Sequence, residues 1–419
     1  MPEGAQDLIY LDYNATTPLD PEVMDEIRGS LALYGNPSSS HALGRASKAK
    51  YEESRASIAR LVNADPDEMI IMSCGTETIN YCLRGTAQAA LAAGRGNHIV
   101  TSAVEHDAVL ATVDFLTSSM GFTSTIVPVD KYGMVTVDAV MAAITPATVI
   151  VSVMHSNNEV GTINPIAEIA AALKDARSQP AGGAPILFHS DTSQSLGKVP
   201  IDARDLGVDF LTVTGHKLYA PKGIGALYVK RGTPRLQKLM HGAGHENGAR
   251  AGTENTILTA GLGAACRVAR ATLSETSKHL VAMRDRLQAN FEARCTLDGQ
   301  SSEEKPGRPL MRVNGHPEDR LPNTLSISFH RVLASAVMAD IQHRVACSAG
   351  AACHSHTEDR VSGVLRAMNV PMDFARGTLR LSVGKQTTSS EIDEASELIL
   401  ASVISLLAAE KEKTTADGN

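Results

Sequence analysis

Short apolar runs alternate with amphipathic stretches along the first two thirds of the chain. The runs at 68–74 (EMIIMSC), 98–103 (HIVTSA), 124–129 (STIVPV), 148–154 (TVIVSVM) and 186–191 (ILFHSD) predict strands. Val208–Val213 and Ile224–Val229 read as two more buried strands. Helical spacing marks 45–63, 77–93 and 166–177. Strands and helices in this alternating order imply an α/β fold, with a mostly parallel sheet covered by helices on both faces. Ligands of such sheets gather at the C-terminal ends of the strands.

The pattern changes near residue 260. Residues 257–294 read as one long helix, followed by a polar loop, DGQSSEEKPGRP, at 298–309. Strands are expected at 324–330 and 377–384, with a cysteine-bearing Gly/Ala loop between them, and a last helix at about 390–411. The expected division is an N-terminal segment, 1–20, packing with a small domain; a large ligand-binding domain, 21–260; a small C-terminal α/β domain, 261–410; and a disordered tail, 411–419.

Composition narrows the function classes. The chain has 419 residues, enough for two domains, and a net charge of -7. No basic stripe alternates with aromatics, so nucleic acid is not an expected partner. No apolar run approaches the roughly 18 residues of a membrane span. The six cysteines are scattered and none forms CxxC. No secretory signal precedes them, and the acidic start has no Arg-rich amphipathic stretch. A reduced, cytoplasmic setting is expected. The chain has no Trp, so a stacked cofactor ring would rest on a smaller side chain such as His.

Lys217 lies where the strand 208–213 runs out, in a turn braced by Pro221 and Gly223. Burial can depress a lysine pKa and free a neutral amine, which forms Schiff bases with carbonyl compounds. The plainer reading is a surface lysine. Asp191 closes the strand ILFHSD, and a carboxylate there can keep a pyridine nitrogen protonated. It also suits a helix N-cap in DTSQ. SCGTETIN (73–80) joins a strand to a helix. Gly75 permits close approach of an anion, Thr76 adds a hydroxyl, and the helix start adds free N–H groups. A capping box built on Thr76 would explain the same residues. His106 follows strand 98–103 and could stack on a ring or shuttle protons, or be structural. Asn157 and Asn158 end another strand, where Asn also serves turns.

Taken together, YLDYNATTPLDPEV, YGNPSSSHALGR, SCGTET, VEHDAV, HSNNEVGTINPI, SDTSQSLGKVPID, GHKLYAPKGIGALYV, GAGHENGARAGTENT, GAACHS and LRLSVG resemble, in order, the motifs of the cysteine desulfurase and selenocysteine lyase family. These are pyridoxal-phosphate enzymes of fold type I, and the likeness runs from about residue 8 to residue 400. The resemblance implies that Lys217 holds the cofactor as a Schiff base, Asp191 pairs with the ring nitrogen, Gln194 bonds the ring oxygen and His106 stacks on the ring. Gly75, Thr76, Thr214 and His216 would bind the phosphate. Thr253 would reach the phosphate of a second subunit, making the active unit a homodimer. Asn158 and Arg380 would hold the substrate, with Asn36 helping to place it.

Cys353, in CSAGAACHSHTEDR, has three readings: a buried inert thiol, part of a metal set with Cys347, His354 and His356, or a nucleophile. The resemblance favours the nucleophile, which would take sulfur from the substrate as a persulfide and hand it to an acceptor protein. No metal is then expected. GAACHS is similar to the selenocysteine lyase loop, whereas HKLYAPKGIGALY follows the desulfurase pattern. Two departures stand out: Cys74 where the family has Gly or Ser, and Ala243 interrupting a glycine triplet. Two other classes compete. One is a class V aminotransferase or another carbon–sulfur lyase that does not need Cys353. The other is a cofactor-free relative acting as a scaffold.

Overall fold

In chain order, a two-residue strand β1 (Ile9–Tyr10) and helices α1 (Pro21–Ser30) and α2 (Ala42–Leu61) lead into the larger of two principal sheets. Then follow β2 (Met69–Met72), α3 (Gly75–Ala92), β3 (His98–Ser102), α4 (Asp107–Met120), β4 (Thr123–Val127) and α5 (Val137–Ala142). β5 (Thr148–Ser152), α6 (Ile166–Arg177), β6 (Leu187–Asp191), β7 (Phe210–Thr214) and β8 (Gly225–Val229) complete this part. The computed structural model describes residues 7–177, 186–298, 308–350 and 361–417.

The sheet order is β2-β8-β7-β6-β5-β3-β4. Pairings from β7 through β4 are parallel, as the alternating pattern predicts. β8 runs antiparallel to both β2 and β7. The physical reason is the connection: residues 215–224 contain no crossover helix of the kind a parallel return needs. That short connection carries Lys217. Neighbouring residues along each strand enter opposite cores. Val100, Val151, Phe188, Leu211 and Tyr228 face one, while Ile99, Ile150, Leu187, Phe210 and Leu227 face the other. Both faces are covered, so the strands read as continuous apolar runs.

α7 (Thr256–Glu292) matches the expected long helix and joins two cores. Leu262, Ala264, Ala265 and Cys266 pack in the core of the large sheet. Leu280, Leu287 and Phe291 pack in a separate core, with the second sheet. That sheet forms from β9 (Thr296–Leu297), β10 (Leu310–Asn314) and β11 (Thr324–Phe329), and, after α8 (Ala334–Ile341) and β12 (Val345–Ala346), from β13 (Ser348–Ala349). α9 (Gly363–Ala367), α10 (Met372–Ala375), β14 (Thr378–Ser382) and α11 (Ser389–Asp417) close the chain, and the order is β13-β14-β11-β10-β9. β1 pairs with β12, and Ile9 and Leu11 pack in the second core. α11 runs through Asp417, past the expected end near residue 411 and into the stretch read as a disordered tail. The polar loop expected at 298–309 lies mostly outside the described residues. No described helix is long and apolar enough to cross a membrane.

Candidate active site

The C-terminal ends of β3, β5, β6 and β7, the start of α3 and the edge of the second sheet surround one cleft of about 650 Å³. Gly75, Thr76, His106, Asn158, Asp191, Gln194, Thr214, His216, Lys217 and Arg380 all line it. These residues are dispersed from position 75 to position 380, and only the fold brings them together.

Lys217 ends a single 3-10 turn, Gly215–Lys217, directly after β7. The turn requires glycine at its start, because a Cβ on Gly215 would stand 2.8 Å from the Ile224 carbonyl oxygen. Lys217 Nζ donates to the Asn14 carbonyl and, at 2.7 Å, to the Ala15 carbonyl. Burial holds its pKa down to about 8, and the Arg380 charge pushes the same way, while Asp12 and Asp191 oppose the shift. The buried amine is therefore neutral far more often than a surface lysine at the same pH.

Asp191 Oδ1 accepts from the Ser193 N–H at 2.9 Å and the Ser193 hydroxyl at 2.5 Å. Ser193 Oγ also meets Thr214 Oγ1 at 2.7 Å. The turn reading and the ligand reading of Asp191 thus coexist: one oxygen closes the turn, and the residue still lines the cleft. At the start of α3 the cap is Cys74 rather than Thr76. Cys74 Sγ accepts from the Glu77 N–H at 3.4 Å, and Glu77 Oε2 accepts from the Ser73 N–H at 2.6 Å. Thr76 is left to face the cleft. A Cβ on Gly75 would lie 2.2 Å from Thr214 Oγ1, so only glycine leaves this helix start open to an anion.

His106 caps α4, its Nδ1 accepting from the Ala108 N–H at 3.0 Å. A neutral ring therefore carries its proton on Nε2. His216 Nδ1 lies 3.2 Å from Thr16 Oγ1, and burial, with help from Lys217 and Lys222, drives its pKa down to about 4. Arg380 sits on β14. Its Nη2 donates to Asp12 Oδ1 at 2.9 Å and Ser348 Oγ at 3.0 Å, and Nη1 donates to the Asn158 carbonyl at 3.2 Å. Arg380 Nε is buried with no partner among the described residues. A guanidinium held by three of its five N–H groups, with Nε and one Nη1 N–H unpartnered among the described residues, suits a carboxylate.

Three candidates stand apart. Asn36 and Thr253 are exposed and do not line the cleft of their own chain. Cys353 lies outside the described residues. Cys347 is pushed up to about 12, chiefly by burial, which leaves it a poor nucleophile at neutral pH.

Other cleft residues were not singled out from the sequence as candidates. Asn14 ties the second sheet to the cleft: its Nδ2 donates to Thr324 Oγ1 at 2.8 Å and the Asn158 carbonyl at 3.2 Å, and its Oδ1 accepts from Asn323 at 2.9 Å. Glu105 is buried, accepting from Ser102 Oγ at 2.6 Å and the Met154 N–H at 2.8 Å, and burial raises its pKa to about 8. Glu159 accepts from the Ser362 hydroxyl and is raised by burial to about 7. The one sequence signal for Asp12 and Asn14 was polar side chains interleaved with Leu11 and Tyr13 in YLDYNATTP.

This fold and cleft define the fold-type I class of α/β enzymes, which use pyridoxal phosphate. The chain belongs to the aminotransferase class-V family, whose model matches residues 9–395. It is 38% identical over 387 residues to the cysteine desulfurase IscS of Dictyoglomus turgidum, covering 92% of each chain. It is 39% identical over 413 residues to the selenocysteine lyase of Rattus norvegicus, again covering 92% of each. Among solved structures, a NifS-like protein superposes with a TM-score of 0.82 at 31% identity, covering 95% of this chain and 99% of that one.

Proposed function

We propose that this protein removes sulfur or selenium from L-cysteine or L-selenocysteine with bound pyridoxal phosphate, releasing L-alanine. The observation that carries the reading is the convergence of a buried amine, Lys217, with Asp191, Arg380 and the Gly75 anion cradle in one cleft. The residues present fit the cofactor. The cradle is open only because position 75 has no Cβ, and Thr76, Thr214 and His216 surround it with polar groups.

Pyridoxal phosphate, when bound, supplies a ring that takes up the electron pair left at Cα on proton loss. Lys217 would hold the cofactor and, once released, act as the base at Cα. Its parking place is the pair of carbonyls of Asn14 and Ala15. Asp191 would keep a proton on the ring nitrogen through the oxygen not taken by Ser193. Gln194 would donate to the ring oxygen, and His106 would cover the ring face. Arg380 would fork onto the substrate carboxylate beside Asn158. The Cys353 thiolate would attack the substrate sulfur. The Cβ–S bond then breaks, its electron pair stays on carbon and is protonated, and the sulfur remains on Cys353 as a persulfide for an acceptor protein. Selenium could also depart directly, taking the bond's electron pair, because a selenol is a stronger acid than a thiol.

Asn36 and Thr253 fit a homodimer in which each would complete the cleft of the other subunit. Both are exposed, and Leu31, Tyr34, Leu43 and Met240, in the segments around them, are exposed apolar side chains. A cytoplasmic site of action would suit the reduced thiol that the chemistry requires.

The test is alanine release from cysteine and from selenocysteine, for the parent protein and Cys353→Ser. Loss of sulfur turnover in the variant is expected. Alanine still formed from cysteine by Cys353→Ser would assign the protein to a lyase class without a cysteine nucleophile. No alanine from either substrate with the cofactor-loaded parent would refute the proposal.

A further inference from the structure

We propose that Lys198 is a positioning residue: it locks the side-chain amide of Gln194 so that an N–H, and not the oxygen, faces the cleft. The inference rests on the reading of the cleft as a pyridoxal-phosphate site.

Lys198 follows β6 by one compact turn and is 4% exposed, unusual for a lysine. Nζ donates to the Gln194 carbonyl at 2.9 Å and to Gln194 Oε1 at 3.3 Å. On the other side of the amide, Gln194 Nε2 donates to the Asn14 carbonyl at 3.0 Å. A lysine amine carrying its protons offers donors, and a backbone carbonyl only accepts. Turning the amide over would set NH2 against Nζ and oxygen against the Asn14 carbonyl, two repulsive contacts in place of two bonds. The orientation is therefore fixed from both ends.

Nε2 has two hydrogens, and Asn14 uses one. The second is left for the cleft, which Gln194 lines. It suits an anionic oxygen on a bound ring. Without Lys198, only the Asn14 contact would oppose rotation of the amide, and its oxygen could turn to repel that anion. Burial, together with the charges of Lys217 and Arg380, holds Lys198 down to about 7, so the amine sits there against its own hydration, and its neutral form still carries two N–H donors, one for each Gln194 oxygen. Its contacts with Gln194 are what it gains in exchange.

The experiment is a spectrophotometric pH titration of the visible band of the bound cofactor in four proteins: the parent, Lys198→Met, Gln194→Ala and the double variant. A donor to the ring oxygen favours its charged form, so losing that donor raises the apparent pKa of the band, by about one unit. Lys198→Met is expected to give this rise in the parent background and no further rise in the Gln194→Ala background. Lys198→Gln, which keeps an uncharged donor for Oε1, is expected to retain the parent titration; if Lys198→Met does not fold, Lys198→Leu replaces it in the cycle with the same expected rise confined to the parent background. The dissociation constant of pyridoxal phosphate from the apo-protein should follow the same pattern. Equal shifts in both backgrounds would mark a through-space charge effect and overturn the inference, as would no shift at all. A parent protein that gains no visible band with pyridoxal phosphate would instead overturn the cofactor reading itself.

Discussion

Replacing Arg380 with Met should slow the capture of pyridoxal phosphate by Lys217 at neutral pH, although the lysine itself is not substituted. Burial is the largest cause of the depressed Lys217 pKa, and the Arg380 charge is the next. With the pKa at about 8 rather than the ordinary lysine value of 10.5, the neutral fraction at about pH 7.5 is roughly one quarter instead of about one in a thousand. A neighbouring charge acting through an effective dielectric of about 20 contributes on the order of 1–2 kcal/mol, or about one pKa unit. Removing Arg380 also frees Asp12, whose charge favours the protonated amine. Lys217 in the variant should therefore titrate near 9, and its neutral fraction at about pH 7.5 should fall about eightfold. The assay mixes apo-protein with pyridoxal phosphate and follows the growth of the visible band across pH. The parent rate should level off just above its Lys217 pKa, and the variant should need about one more pH unit to do so. Two results would refute the reasoning. One is a parent profile still climbing toward the ordinary lysine value. The other is a pair of profiles that superimpose.

Two further expectations follow from contacts elsewhere. Gly75→Ala drives a Cβ to within 2.2 Å of Thr214 Oγ1, so pyridoxal phosphate affinity should drop at least about tenfold, read by titrating apo-protein while circular dichroism shows the fold intact. Glu246→Gln breaks a buried pair in which Arg55 donates to both carboxylate oxygens at 2.7 Å, with Tyr51 and the Ile71 N–H also donating at 2.7 Å. Removing one partner of such a pair costs about 3–5 kcal/mol, and urea unfolding of the apo-protein should show a loss of that order.

Much of the large sheet was legible because its signals are local. Apolar runs such as Val208–Val213 are dictated by burial on both faces, which acts on each strand separately. The motifs that reach the cleft sit where strands end, so Asp191, Asn158 and Lys217 could be placed at one edge without knowing a contact. The antiparallel insertion of β8 was less visible, since run composition alone does not fix direction. Thr76 was read as a possible cap, yet Cys74 took that place: a helix start two residues earlier decides which side chain turns back to the backbone.

What the chain determined by itself was a set of elements and the chemistry carried at their ends. Hydrophobic period, turn residues and the types of polar side chain are properties of short segments, and short segments can be read one at a time. Only the tertiary structure decided which groups meet. It set Lys217 on the carbonyls of Asn14 and Ala15, paired Arg380 with Asp12, sank Lys198 beneath Gln194 and left Asn36 and Thr253 outside their own cleft. The Lys217 and Arg380 contacts join residues 202 and 368 positions apart in the chain. Their pKa shifts and bond partners depend on how much water the packed cores exclude, a quantity no segment carries alone.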